Sequence, residues 1–131
     1  MGIATIKENK RDFTSLDVWK KCRELKLKIY KQVLRLLPVD EKYNLNDQIR
    51  RVAVSITANI AEGYGRFHYQ ESIQYYRISR GSLYELKDHL ISCLDLEYIS
   101  AELFQIIEGE TEEAIKLLNG YIRYIKGKKN E

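Results

Sequence analysis

Two histidines, His68 and His89, and two cysteines, Cys22 and Cys93, are the side chains with which this 131-residue chain could ligate a metal or run nucleophilic chemistry. Their spacing supports neither. A di-metal site in a helical bundle takes inward glutamates and two Glu-x-x-His pairs; here Glu85 precedes His89 by four residues rather than three. His89 and Cys93 stand one helical turn apart and could touch one ion, but two ligands do not close a structural zinc site. A packed histidine beside a buried thiol accounts for the same pair. Cys22 and Cys93 have no CxxC spacing, so both read as reduced, buried thiols. Gly63-Tyr64-Gly65 follows a helical pattern instead of a strand and lacks the third glycine of a phosphate cradle. Ser55, Ser79 and Ser82 have no histidine nearby in sequence to serve as a base. The chain therefore reads as a non-enzyme with no metal and no cofactor.

A different chemistry is written in the charged residues. Arg50, Arg51, Asn59 and Glu62 interrupt one apolar helical pattern, and Arg77, Arg80 and Glu85 interrupt the next. An unpaired buried charge is strongly destabilising. The expectation is a structural polar cluster of Asn59, Glu62, Arg80 and Glu85, with Arg80 pairing to Glu62 or Glu85 across a helix interface; a ligand contact is the alternative. Lys21, Lys28 and Arg35 recur every seven residues with Lys20 and Lys31 nearby, and Lys126, Lys128 and Lys129 follow near the end. Together with Arg50, Arg51 and Arg66, the basic positions of the first helix form the candidate nucleic-acid-binding set, although a solvated helix face predicts the same lysines. Ten tyrosines add rings that could stack on unpaired bases, while Tyr76 and Tyr121 fall at core spacing.

The elements that must position these residues are helices. Apolar residues recur at spacings of three and four in four segments, and convincing strand alternation is found nowhere. Over residues 15–37, Val18, Cys22, Leu25, Ile29, Val33 and Leu36 make one stripe, and Trp19, Tyr30, Leu34 and Leu37 make a second beside it. Pro38 stops this helix. The second segment starts near Asn46, a candidate N-cap, and runs through Ile49, Val52, Ala53, Ile56, Thr57, Ile60 and Ala61 to Gly63, a candidate C′ residue. Its other face is small, with Val54, Ser55 and Ala58, which suits a central helix. The third, residues 69–96, places Ile73, Tyr76, Arg80, Leu83, Leu90 and Leu94 near a heptad spacing, with Leu86 and Cys93 flanking that seam and Gly81 expected at a tight helix contact. The fourth, residues 100–126, carries Phe104, Ile107, Ala114, Ile115, Leu118, Tyr121, Ile122 and Ile125, with a possible kink at Gly109. Short joins predict an all-α, antiparallel up-down-up-down four-helix bundle.

Composition agrees with one such domain over residues 1–131, with an ordered core at about 14–126. An apolar fraction of 44% is enough for one core. Residues 1–13 carry Lys7, Lys10 and Arg11 without a continuous apolar run, so neither a signal peptide nor a membrane span is expected. A cytoplasmic protein follows from that reading. The net charge of +3 is uneven: residues 1–90 hold 17 Lys+Arg against 11 Asp+Glu, whereas residues 91–131 hold 5 against 8. This asymmetry permits an acidic partner such as RNA.

Leu16-Asp17-Val18-Trp19, Pro38 with Glu41 and Tyr43, Leu45-Asn46-Asp47-Gln48-Ile49-Arg50-Arg51, Ser55 with Asn59-Ile60-Ala61-Glu62-Gly63 and Arg66, and Arg80-Gly81-Ser82 with Glu85-Leu86 carry a family resemblance. The chain resembles the four-helix-bundle proteins encoded in intervening sequences of bacterial 23S ribosomal RNA, also called S23 ribosomal proteins. The likeness covers residues 12–125, and Val52 and Thr57 depart from it where alanine and proline are expected. The resemblance implies a bundle that assembles as a homo-oligomer, a homopentamer among related proteins. Its relatives include accessory proteins of diversity-generating retroelements, which implies RNA, a ribonucleoprotein or a reverse transcriptase as partner. Two readings result: a nucleic-acid-binding oligomer, and a protein-interaction scaffold that does not touch nucleic acid itself.

Overall fold

The computed structural model describes residues 12–129. Lys7, Lys10 and Arg11 lie outside that range, and the side chain of Lys129 is likewise not described. A 3-10 turn, Phe13–Ser15, leads into helix α1, Asp17–Lys28; α2 spans Leu45–Tyr64, α3 Tyr69–Asp95 and α4 Ala101–Lys129. Among the described residues there is no strand. Each helix packs against its neighbours in chain order, and α4 closes against α1. The result is the up-down-up-down bundle the periodicity predicts.

Cross-helix contacts fix the antiparallel register. Lys26 Nζ donates to Thr57 Oγ1 at 3.1 Å and Asn46 Nδ2 donates to the Leu34 carbonyl at 3.3 Å, so α2 runs back along the first helix. Ser55 and Ser82 hydroxyls meet at 2.8 Å, and the buried Ser79 hydroxyl donates to the Ile56 carbonyl at 2.7 Å, joining α2 to α3. Tyr76 and Tyr121 join α3 to α4 edge to face, their centroids 5.2 Å apart. Leu25, Ile29, Ile49, Ile56, Ile60, Leu83, Leu86, Leu90, Ile107 and Leu118 fill the shared core.

The first helix departs from its expected course. After Lys28 the chain makes a π-helical turn, Ile29–Val33, in which the Leu34 amide reaches back five residues to the Ile29 carbonyl, then a 3-10 turn, Leu34–Leu36. The wider turn absorbs one extra residue. It re-phases everything beyond it: Val33 and Leu34 are both buried, Leu37 packs on the core, and Leu36 rotates out to 43% exposure. Pro38 ends the segment as expected, and the chain continues through a 3-10 turn, Val39–Glu41.

Four further expectations are corrected. Asn46 does not cap α2, which begins at Leu45; its side chain serves the Leu34 carbonyl instead. Gly63 lies buried inside α2, and Gly65 occupies the C-cap. Gly81 makes no tight contact within this chain, since a Cβ built there would meet nothing within 4 Å. Nor is α2 central: it packs on the first helix and α3, while Val54 and Ala58 remain exposed.

Candidate nucleic-acid interface

The proposed basic set does not form one surface, because α4 takes part of it. Acidic residues of α4 face α1: Lys21 pairs with Glu113 at 2.8 Å, and Lys28 pairs with Glu110. The hydrogen bond from Lys21 holds the Glu113 carboxyl below its usual range and, reciprocally, raises the Lys21 ammonium. These lysines tie helices together in partial exposure to solvent, where such pairs add little to stability. Lys20 is half-buried on the same helix and has its own interactions. Arg66 is occupied as well: its guanidinium meets Glu62 at 2.5 Å, Glu71 at 3.4 Å and the Tyr75 hydroxyl at 2.6 Å. Hydrogen bonding to Glu62 raises its pKa, and two carboxylates cancel its attraction for a phosphate.

What remains gathers at the end of the bundle where the first helix finishes and α2 begins. The Arg50 guanidinium lies 5.9 Å from the centroid of the Tyr30 ring, joining the π turn to the first half of α2. Lys31 and Arg35 are exposed on the π and 3-10 turns, and neither makes an ion pair among the described residues. Arg51 is exposed but shared with Asp47 at 3.1 Å. The connecting loop adds Lys42, whose ammonium lies 5.2 Å from the centroid of Tyr43. From residue 29 to 51 the chain holds five cations, Lys31, Arg35, Lys42, Arg50 and Arg51, against three carboxylates, Asp40, Glu41 and Asp47.

Two of those carboxylates are engaged. Asp47 holds Arg51, and Glu41 accepts hydrogen bonds from the Tyr98 hydroxyl at 2.8 Å and from Asn44 Nδ2 at 3.0 Å. The Tyr98 hydrogen bond lowers the Glu41 pKa, and Tyr98 is raised by the same bond. Glu41 thereby clasps the loop before α2 to the turn between α3 and α4. Lys42 and Tyr30 escape a reading of the sequence because their usefulness depends on the loop and the π turn, neither of which periodicity displays.

The polar cluster is also corrected. Arg80 reaches neither Glu62 nor Glu85; its guanidinium donates to Asn119 Oδ1 of α4 at 2.9 Å. Glu62 pairs with Arg66, Glu85 approaches His89 Nε2 at 3.4 Å, and Asn59 donates to the backbone and hydroxyl of Ser55, both at 2.9 Å. Four residues expected to meet are thus distributed over four separate contacts. Among the described residues no group of three or more His, Cys, Asp or Glu is placed to hold a metal ion, and no helix is long and apolar enough to cross a membrane.

Comparison with known proteins supplies the family. A family model described as 23S rRNA-intervening sequence protein matches residues 14–120. The chain belongs to that family. It is also similar to a crystal structure of a protein of unknown function from the S23 ribosomal protein family of Bacteroides thetaiotaomicron, with 26% sequence identity and a TM-score of 0.74. That likeness covers 81% of this chain and 95% of the other. Comparison with curated proteins finds no match. As a 23S rRNA-intervening sequence protein, the chain shares the helical fold of its relative, and neither match points to a catalytic family.

Proposed function

We propose that this protein is a non-catalytic, self-assembling four-helix bundle that binds RNA through the end bearing Lys31, Arg35, Lys42 and Arg50. One observation carries the reading: these four cations share a bundle end and make no ion pair among the described residues, whereas Lys21, Lys28 and Arg66 are neutralised by carboxylates. Uncompensated cations near exposed rings suit a phosphate backbone with accessible bases.

The test is binding of a structured RNA to the purified protein across a salt series. Affinity falls steeply with salt, and Lys31→Glu with Arg50→Glu weakens binding at low salt and flattens the slope by about one for each phosphate no longer neutralised. Lys21→Glu leaves that slope unchanged. Absence of binding at low salt by the folded protein overturns the RNA reading.

A second reading has its own observation. Val54 and Ile78 are 47% and 51% exposed on α2 and α3, Ala58 and Gly81 are exposed beside them, and the Ser55–Ser82 hydrogen bond joins the two helices between them. Such a small, apolar face favours close approach of another helix. In the first reading it serves self-assembly; in a scaffold without RNA it would be the principal working surface.

A further inference from the structure

We infer that the RNA taken by this end is unpaired, with a base stacked on Tyr43; the inference rests on the RNA reading above and narrows it. Tyr43 is 86% exposed, and its neighbour on the same loop, Val39, is 81% exposed. Such exposure on a floppy loop would mean little, but this loop is fastened on both sides of the ring. The Glu41 carboxylate accepts from Tyr98 with one oxygen and from Asn44 with the other. The Asn44 amide also donates to the Glu41 carbonyl at 3.0 Å, closing a turn around Lys42 and Tyr43. Asn46 then ties the start of α2 to the Leu34 carbonyl, which places Arg35 and Tyr43 at the same end of the bundle.

With the backbone fastened on both sides of it, the ring is presented to solvent from a fixed position, where a flat partner can cover it. The cations of this end select that partner's chemistry: Lys42 stands over Tyr43 itself, Arg50 stands over a second ring, Tyr30, and Lys31 and Arg35 are exposed on the turns that end the first helix. Duplex RNA offers phosphates but keeps its base faces stacked inside, whereas an unpaired strand offers both groups together. Alternation of ring and cation therefore fits a single-stranded or looped segment better than a helix.

The experiment compares oligoadenylate, oligouridylate and the duplex annealed from them, each titrated with the full chain at low salt. A single strand binds more tightly than the duplex. Tyr43→Ala lowers single-strand affinity about tenfold, within the span typical of one base-to-ring stack, while duplex affinity and the salt slope stay unchanged. Tyr43→Phe keeps single-strand affinity, because the ring and not the hydroxyl makes the stack. Equal affinity for strand and duplex, or a Tyr43→Ala protein that binds the strand as the parent does, overturns this inference and leaves RNA binding standing. No binding of any of the three defeats both. Circular dichroism of each variant verifies the bundle, since Tyr43 is outside the core.

Discussion

The ring of Tyr76 lies directly on the backbone of Gly63. A Cβ at position 63 would sit 2.6 Å from Tyr76 Cε1 and 3.0 Å from the Ser72 carbonyl oxygen. Glycine is required there by this close approach and not by an unusual dihedral, since Gly63 lies within α2. Tyr76 cannot move aside freely because it is 1% exposed and abuts Tyr121. Gly63→Ala should therefore destabilise the bundle by about 1–3 kcal/mol, the usual range for overpacking, despite alanine's better helix propensity. Urea unfolding followed by Trp19 fluorescence at one protein concentration reads this. Adding Tyr76→Leu should recover part of the loss, as expected of contacting residues; a fully additive pair would show that the clash is not the cause.

Glu97 makes the opposite case, a side chain where glycine belongs. Its φ is +61°, the only positive value at a non-glycine among the described residues. The Tyr98 amide donates to the Cys93 carbonyl at 2.8 Å and the Glu97 amide to the Leu94 carbonyl at 3.0 Å, a Schellman ending for α3 with Glu97 at C′. A non-glycine residue there costs about 1–2 kcal/mol. Glu97→Gly should raise stability by about 1 kcal/mol, less the extra chain entropy of glycine. A destabilised variant would mean that the Glu97 side chain makes a compensating contact.

Both positions illustrate what the sequence discloses. Helical period alone locates α2, α3 and α4 to within a few residues, because Ile49, Ile56, Leu83, Leu90, Leu118 and Ile125 repeat at spacings that only a helix gathers onto one face. The π turn at Ile29–Val33 is not legible, since a single inserted residue leaves the apolar spacing on either side intact and shifts only its phase. Charges are less legible than the core. Charge pattern sets Arg80 beside Glu62 or Glu85, yet Asn119 on α4 satisfies it, and a neutral partner leaves no mark in that pattern. The heptad of Lys21, Lys28 and Arg35 reads as one stripe, but Glu113 and Glu110 claim the first two. Long-range pairing depends on helix register, which period does not supply.

Burial determines the behaviour of both thiols. It pushes Cys22 up to about 12 and Cys93 up to about 11, with exposures of 1% and 0%. A raised folded pKa means that the native state holds its proton where the unfolded chain, with a thiol pKa of about 8.5, releases it. The associated stability is complete below that unfolded value and declines as pH rises from it toward the folded one. Between pH ~8.5 and pH ~10 the loss for Cys22 is on the order of 1–2 kcal/mol. Urea midpoints for the parent and Cys22→Ala should therefore converge as pH rises through this window. A constant separation would show that Cys22 does not titrate differently on folding. Reaction with a disulfide reagent should likewise wait for unfolding, since the thiolate is the attacking species.

Ala58 and Gly81 decide whether the exposed α2–α3 face is a contact surface. In an isolated bundle Ala58→Arg would be close to neutral, because the side chain would extend into solvent. Gly81→Ala would then stabilise α3 by about 1 kcal/mol, since nothing within 4 Å opposes a Cβ there. In an assembly that packs a second helix on this strip, the same changes drive bulk or charge into the partner. The expected outcome is a parent protein with an oligomeric mass by light scattering, reduced toward that of one chain by Ala58→Arg without loss of helical circular dichroism. Gly81→Ala should weaken assembly at low protein concentration while raising stability in monomeric variants. The combination separates a packing contact from a folding defect, because a defect lowers helicity and mass together. An oligomer that survives both substitutions would place its contacts on another face, and the small residues here would be needed only for the Ser55–Ser82 approach between α2 and α3.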